Sequence, residues 1–399
     1  MKPLYTASKV ASRGAHVARN GNTVRQHTAR QKTVHQRKIR QHVIIALVSF
    51  LVAASLLHQI IPSAIAPLNA SVIGPKYAYY QAHKDDYDTL FFGSSRVHYH
   101  ISPEVFDRVA SKAGVPLKSF NFGVAGLKPM QTYVLLRDIL QDPPAHLKWV
   151  FCEDVLDFGG ERLGAIPTHR SMYWHTAANT RLAIDYVLSN PYSTPLEKVG
   201  FTLSHLAPFL SNQLNVGRIF YRWFPDHHPL AEDTAEAALY LANEGYLPLT
   251  EEIATREDFL KTINSYQQDV AQLAEAKRKP ITANDAVYFE PVEQPYYQHL
   301  EKITTAIEAA GATPIFVVAP TTIDKSTIHR AYYLRKIPHL LSFNHPDEYP
   351  KLFDVAYRKE ADHLTPEGAE YFTELLAQKF TQTVLQPPLK TSAEENSAE

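Results

Sequence analysis

Cysteine is nearly absent from this sequence of 399 residues, and the only one is Cys152. No disulfide can therefore form within the chain. Cysteine usage consequently gives no indication of whether the protein is exported. A glycine-rich loop that would cradle phosphates is also missing, and the chemistry considered below needs no cofactor.

Acidic residues are absent from the N-terminal part of the chain, where the first one is Asp85. Residues 1–40 contain ten basic residues, whereas the net charge of the whole chain is only -1, so the remainder is acidic. The same segment is rich in Gln, His and Thr and has no apolar periodicity. This composition predicts a mobile basic tail.

A long hydrophobic run, Val43 to Leu57, follows the basic tail and contains no charged residue. At about 1.5 Å per residue, such a segment nearly spans a hydrocarbon core of roughly 30 Å. We therefore predict a single transmembrane anchor over residues 41–66 in the inner (cytoplasmic) membrane. The positive-inside rule then places residues 1–40 in the cytoplasm and the remaining chain outside it, in the periplasm.

Other interpretations of this N-terminal region stay open. A cleaved signal peptide would explain a short apolar core followed by Ala64 and Ala66, although Pro67 and the long basic region do not suit a cleavage site. An organelle transit peptide or a buried helix of a soluble protein is also compatible with the composition.

Strand and helix patterns alternate after the anchor. Apolar runs at 88–95, 118–126 and 149–156 read as strands, and Ser102-Pro103 begins a helix that runs to Gly114. The alternation predicts an α/β fold with a flavodoxin-like parallel sheet and helices on both faces. It resumes near residue 298 with an amphipathic helix to 310, a strand at 314–319 and a possible last strand at 352–356.

Residues 159–286 interrupt this alternation. They are rich in Tyr, Trp, His and Pro and contain helical stretches, which predicts a mostly helical, aromatic insertion. Its histidines lack a tight spacing with acids or cysteines, so no metal site is predicted. The resulting segments are a tail (1–40), an anchor (41–66), two parts of one α/β domain (67–158 and 287–385), the insertion between them (159–286) and a loose C-terminal tail (386–399).

The most informative stretch is a short apolar strand that stops at Gly93-Ser94-Ser95. A glycine and two hydroxyl residues directly after a buried strand predict a tight turn at the carboxyl edge of the sheet, where α/β proteins bind ligands. Near the other end of the chain, Thr365-Pro366 predicts a helix start, and His363 precedes it by two residues. A serine after the first strand and a late histidine are the order of a serine hydrolase whose base comes last.

Three motifs resemble those of the SGNH (GDSL-type) hydrolase superfamily, in its membrane-anchored envelope variants. Gly93-Ser94-Ser95 resembles the nucleophile block, Asn121 to Gly126 resembles the second block, and Asp362-His363-Leu364 resembles the last block. The resemblance covers roughly residues 85–158 and 287–383. It implies Ser95 as nucleophile, His363 as general base, and the backbone N–H groups of Ser95 and Gly126 as oxyanion donors.

The sequence departs from the family pattern in two places. The acid expected three residues before the histidine is Glu360 rather than aspartate, and Asp362 is the rival. The asparagine expected after the third strand is replaced by Asp157, whose charge would repel an oxyanion. Asn121 is a further candidate for the oxyanion or substrate site, and Arg96 is a candidate for binding an anionic group.

We therefore expect a membrane-anchored extracytoplasmic serine esterase or O-acyltransferase that forms an acyl-serine intermediate. The resemblance implies an acylated cell-envelope polysaccharide or lipid as substrate, and transfer would require a multi-span membrane protein as acyl donor. A noncatalytic envelope-assembly or polysaccharide-binding protein that retains the fold is the alternative. Nothing points to nucleic acid, because the basic tail suits anionic lipid.

Overall fold

The structure is a computed structural model that describes residues 35–54, 56, 72–154, 160, 169–214, 234–250 and 253–385. The chain divides into two compact units, one formed by residues 1–63 and 213–215 and the other by residues 64–212 and 216–399. The predicted C-terminal tail and most of the predicted basic tail lie outside the described residues.

The first unit contains helix α1, residues 35–54. Several of its apolar side chains are exposed, among them Val43, Ile44 and Phe50. Within the described ranges, no helix combines the length and the apolar character needed to cross a membrane.

The second unit is built on one sheet of five parallel strands. The strands are β1 (Thr89–Phe92), β2 (Ser119–Asn121), β3 (Trp149–Glu153), β4 (Thr313–Val318) and β5 (Leu340–Ser342). Their order, β2-β1-β3-β4-β5, is the flavodoxin-like order. The prediction of a parallel α/β sheet is therefore confirmed.

Helices surround this sheet. They are α2 (Ile73–His83), α3 (Ser95–His98), α4 (Pro103–Lys112), α5 (Pro129–Ile139), α6 (His169–Trp174), α7 (Ala177–Ser189), α8 (Pro195–Gln213), α9 (Thr234–Ala242), α10 (Ile253–Lys261), α11 (Ile263–Lys277), α12 (Ala283–Ala309), α13 (Ser326–Tyr333), α14 (Pro350–Phe353) and α15 (Pro366–Phe380). Short 3₁₀ segments at Lys84–Asp86 and Val355–Tyr357 and a π-helical end at Thr381–Leu385 complete the described elements.

Both faces of the sheet are buried, because successive side chains of a strand point to opposite faces. Leu90 and Phe92 belong to one apolar cluster, which also contains residues of α5, α12 and α13. Phe91 belongs to a second cluster with residues of α4 and α15. Because both faces of β1 are buried, its sequence is apolar throughout and lacks the alternating polar residues of a half-exposed strand.

Two sequence predictions about elements are wrong. The predicted last strand at 352–356 is the short helix α14 and a 3₁₀ turn, because Pro350 begins the helix and the Asp354 carboxylate accepts a hydrogen bond from the Ala356 N–H at 2.8 Å. The fifth strand is instead Leu340–Ser342. The helix predicted from 298 begins earlier, at Ala283, and continues through Pro291 and Pro295.

The region predicted to be an insertion covers the edge strand β2. The Asn121 N–H at the end of β2 donates to the Glu244 carbonyl at 2.9 Å, and the Leu247 N–H donates to the His98 carbonyl at 3.0 Å. Gly245 has a φ of 90° and its missing Cβ would lie 2.2 Å from the Asn121 carbonyl oxygen, so the turn after α9 needs glycine. This turn supplies the hydrogen-bond partner that an edge strand otherwise lacks.

Gly93 lies where the end of β1 closely approaches Val97 and Glu153, and a substitution can test this packing. A Cβ atom at this position would lie 2.3 Å from Val97 Cγ2 and 2.6 Å from Glu153 Cβ. We expect Gly93→Ala to lower the free energy of unfolding by about 1–3 kcal/mol, as overpacking does. Gly200→Ala in α8 is the control, because no atom lies within 4 Å of its added Cβ and alanine favours a helix. Urea denaturation in which the two variants are equally stable would contradict this account of Gly93.

Candidate active site

Ser95 is the first residue of α3 and follows directly on the turn that ends β1. Ser94 caps this short helix, because its hydroxyl accepts a hydrogen bond from the Arg96 N–H at 3.4 Å. All strands of the sheet are parallel, and Ser95 follows the C-terminal end of β1, so it lies at the carboxyl edge of the sheet. β1 lies between β2 and β3. The β1/β3 boundary is the switch point at which flavodoxin-like sheets bind their ligands.

His363 comes to the same edge from the far end of the chain. The hydroxyl of Thr365 accepts from the Gly368 N–H at 3.2 Å and caps α15, as the sequence predicts. The loop before this cap is held by an antiparallel bridge between Arg358 and Leu364 and by the Lys359 N–H, which donates to the His363 carbonyl at 3.0 Å. His363 Nε2 then lies 2.7 Å from Ser95 Oγ.

Glu360 is the acid that contacts the histidine. One carboxylate oxygen hydrogen-bonds to His363 Nδ1, and the other accepts from the Asp362 N–H at 2.9 Å. A proton on Nδ1 that is donated to a carboxylate leaves Nε2 as an acceptor for the serine hydroxyl. Burial opposes ionisation of Glu360, but the bonds from His363 and Asp362 outweigh it and lower the pKa of Glu360 below its usual value. The Asp362 carboxylate is exposed and makes no bond to the imidazole.

His100 connects the two halves of the site, and no sequence motif points to it. Its ring is fully buried, and Nε2 accepts from the Leu364 N–H at 3.0 Å. Its ring centre lies 5.7 Å from that of His363. Burial holds the pKa of His100 well below its usual value, so the ring is neutral and can accept this bond. The segment after α3 thereby positions the loop that carries His363.

Arg96 is turned into the protein rather than toward a substrate. Its Nε donates to a Glu153 carboxylate oxygen at 2.5 Å, and the other oxygen accepts from the Ser94 N–H at 2.6 Å. Glu153 is the buried last residue of β3. Burial raises its pKa, but the Arg96 charge and the two hydrogen bonds outweigh burial, so the pKa of Glu153 lies below its usual value. The Glu153 carboxylate thus binds both residues that flank Ser95 and fixes the turn between β1 and α3.

Asn121 does not face the site, contrary to the sequence interpretation. Its amide nitrogen donates to the carbonyls of Val97 and Ile101 at 2.8 and 2.7 Å, and its oxygen accepts from the Gly123 N–H at 2.7 Å. These three bonds occupy the buried amide group and fix the loop after α3. Asn121 therefore supports the site and has no N–H left for an oxyanion.

Gly126 lies in the loop that follows β2, is exposed and has a φ of 69°, a conformation that favours glycine. Within the described part of the chain, neither its N–H nor that of Ser95 makes a hydrogen bond. Both are thus free to donate to a ligand. Asp157, the other predicted member of the oxyanion region, lies outside the described residues.

Asp154 is a buried carboxylate that sequence reasoning missed. It follows Glu153 at the end of β3, and its side chain is fully buried. Lys325 Nζ lies 3.4 Å from one of its oxygens, while burial raises the pKa of Asp154. The two consecutive acids at the end of a buried strand are the available signal, since buried carboxylates are rare unless paired.

No protein-family profile and no curated protein matches this sequence. The candidate site therefore stands on its own geometry. In the described ranges no group of three or more His, Cys, Asp or Glu residues is arranged to hold a metal ion.

Glu153→Gln tests the role of the buried carboxylate. The amide keeps the shape but leaves the Arg96 guanidinium without its counter-charge, so we expect a loss of about 3 kcal/mol in the free energy of unfolding at pH 7. Because the pKa of Glu153 is lowered by folding, its ionisation stabilises the protein above its unfolded pKa of about 4.3 and this stabilisation is lost as the pH falls further. The difference between wild type and variant should therefore shrink in acid.

Urea denaturation at a series of pH values measures this effect. Glu348→Gln is the control, because its carboxylate is 56% exposed and lies 3.9 Å from His345. It should change the stability by less than about 0.5 kcal/mol. A Glu153→Gln protein as stable as this control would show that the Arg96 contact does not hold the turn.

Proposed function

We propose that this protein is a serine esterase or O-acyltransferase with Ser95, His363 and Glu360 as its catalytic residues. The observation that carries the proposal is the 2.7 Å contact between Ser95 Oγ and His363 Nε2, together with the Glu360 carboxylate on His363 Nδ1. A nucleophile, a base and a group that orients the base within hydrogen-bond reach form the arrangement required for acyl transfer through a covalent intermediate.

The reaction would proceed in two steps. Ser95 Oγ attacks the ester carbonyl while His363 Nε2 takes the hydroxyl proton, and Glu360 stabilises the imidazolium that forms. Collapse of the tetrahedral intermediate breaks the bond to the leaving alcohol, which receives the proton from His363 and leaves an acyl-Ser95 ester. Water or an acceptor hydroxyl then loses its proton to His363 and attacks the acyl group. The bond between the acyl carbon and Ser95 Oγ breaks, and His363 returns the proton to Ser95 Oγ.

The oxyanion of the intermediate needs hydrogen-bond donors that are already in place. The N–H groups of Ser95 and Gly126 are available for this role, since neither is hydrogen-bonded in the described part of the chain. Backbone donors would thus replace the asparagine side chain that the SGNH resemblance implies. The proposed site thus depends on the backbone N–H at the start of α3 and on that of Gly126 in the loop after β2.

The proposed substrate and location follow from the resemblance to membrane-anchored SGNH hydrolases. An acylated cell-envelope polysaccharide or lipid would meet the site outside the cytoplasm, with residues 41–66 as the anchor. The exposed apolar side chains of α1 between Val43 and Val52 support an environment other than water for this segment. Transfer rather than hydrolysis would require a membrane partner that supplies the acyl group.

Covalent labelling tests the nucleophile. A fluorescent fluorophosphonate should label the purified protein and should fail to label Ser95→Ala, because only a serine activated by a base reacts readily. Ser94→Ala is the matched control, since the neighbouring hydroxyl bonds to the Arg96 N–H and not to His363. Labelling that persists in Ser95→Ala, or wild-type protein that does not react at all, favours a noncatalytic protein that keeps the fold.

A pair of carboxylate variants tests the acid. We expect Glu360→Gln to lower kcat for p-nitrophenyl acetate by about 10²–10⁴-fold, because an amide no longer stabilises the imidazolium or fixes the tautomer. Asp362→Asn removes a carboxylate two residues away that does not contact the ring, and should change kcat by less than about threefold. The opposite ranking of the two variants would assign the acid to Asp362.

A further inference from the structure

A groove of about 720 Å³ lies beside the edge strand β5, separate from the candidate active site. Its walls come from the end of α11 and the turn into α12 on one side, and from α13 and the segment that leads into β5 on the other. Ser95, Glu360 and His363 do not line it. Its volume is in the range of small-molecule and oligosaccharide-sized binding clefts.

The groove carries an excess of positive charge. Lys277, Lys279 and Arg335 line it, and no aspartate or glutamate does. The Lys277 ammonium is partly compensated by Asp324 at 3.3 Å. Lys279 and Arg335 are exposed, and neither has an ion-pair partner in the described part of the chain. Such a concave cationic wall attracts anions.

Arg335 has a backbone conformation that costs stability. Its φ is 56°, in the left-handed region that favours glycine. It follows α13 at the position where helices commonly end on glycine: its N–H donates to the Tyr332 carbonyl at 3.0 Å, and the Lys336 N–H donates to the Ala331 carbonyl at 2.8 Å. Within the described residues the guanidinium makes no hydrogen bond or ion pair that would offset this cost.

Aromatic side chains stand next to these cations. Tyr332 and Tyr333 also line the groove, and they are 46% and 51% exposed. Tyrosine offers a rigid apolar ring face and a hydroxyl at little entropic cost, which suits the faces and hydroxyls of sugar rings. His329 adds a hydrogen-bonding wall rather than a charge, because its Nε2 is bonded to Ser342 Oγ at 3.0 Å and burial lowers its pKa to about 4.

We propose that this groove binds an acidic polysaccharide, with sugar carboxylates at Lys279 and Arg335 and sugar rings on Tyr332 and Tyr333. This proposal rests on the proposed function, because it identifies the polymer that carries the acyl group as an acidic glycan. The groove borders β5, which is three strands away from β1 in the sheet, so it is a site distinct from that of Ser95. Ligand sites are concave, so this groove suits a polymer chain better than a flat membrane surface.

The binding experiment uses the full chain with Ser95→Ala, so that turnover cannot alter the ligand. Polygalacturonate oligomers should bind, with affinity that decreases as salt increases, and neutral dextran of the same size should not. Arg335→Gly should weaken polygalacturonate binding about tenfold, the effect of losing one charge-assisted pair. Lys279→Gln should weaken it similarly, whereas Arg181→Gln and Lys112→Gln, exposed cations on other helices, should leave it unchanged.

Arg335→Gly separates a binding role from a structural one. Because glycine adopts the left-handed conformation without strain, the Tm of this variant should equal or exceed that of the parent protein. A lower Tm would show that the arginine stabilises the fold and would remove the argument from strain.

Three binding results would overturn the proposal: equal affinity of Arg335→Gly and its parent, equal binding of dextran, or Arg335-dependent binding to vesicles with anionic lipid that exceeds glycan binding. Failure of Ser95 to react with a fluorophosphonate would instead refute the proposed esterase and leave glycan binding in the groove intact. The two failures are therefore distinguishable.

Discussion

The buried Glu153 carboxylate is the interaction on which the candidate site depends. It ends β3 and accepts hydrogen bonds from the Ser94 N–H and the Arg96 side chain, the residues on either side of Ser95. A buried carboxylate is tolerated only when it is paired and hydrogen-bonded. The turn supplies these partners to Glu153, and the same bonds fix the turn. Gly93 allows the close approach of the two strand ends that makes the contact possible. The serine is thereby fixed at the sheet edge before any contact with the histidine is considered.

The histidine side of the site is fixed by different contacts. The Pro366-initiated helix and its Thr365 cap set the end of the loop, and the buried neutral ring of His100 accepts the Leu364 N–H. Ser95 and His363 are separated by 268 positions in the chain, and their meeting depends on α15 packing beside α4 on one face of the sheet. The site is thus a product of the sheet topology, which brings the end of β1 and the start of α15 to one edge.

The elements that can be predicted from the sequence are those set by residues close together in the chain. The apolar strand before Gly93, the Ser102-Pro103 start of α4 and the Thr365-Pro366 start of α15 each depend on neighbours in the chain. The sequence pattern does not predict β5, because Leu340–Ser342 is too short to show a period. It also places the start of α12 too late, because Pro291 and Pro295 lie inside that helix, where proline is disfavoured. The roles of Asn121, Glu153 and His100 cannot be predicted from the sequence, because they are set by long-range partners that no local pattern encodes. The choice between Glu360 and Asp362 likewise required coordinates.

The central claim is that Ser95 forms a covalent acyl intermediate, and intact-protein mass spectrometry tests it most directly. Protein quenched in acid within the first turnovers of p-nitrophenyl acetate should carry one additional acetyl group, and peptide mapping should place that group on Ser95. An acetyl group on another residue, or no adduct while p-nitrophenol is released, would contradict the account.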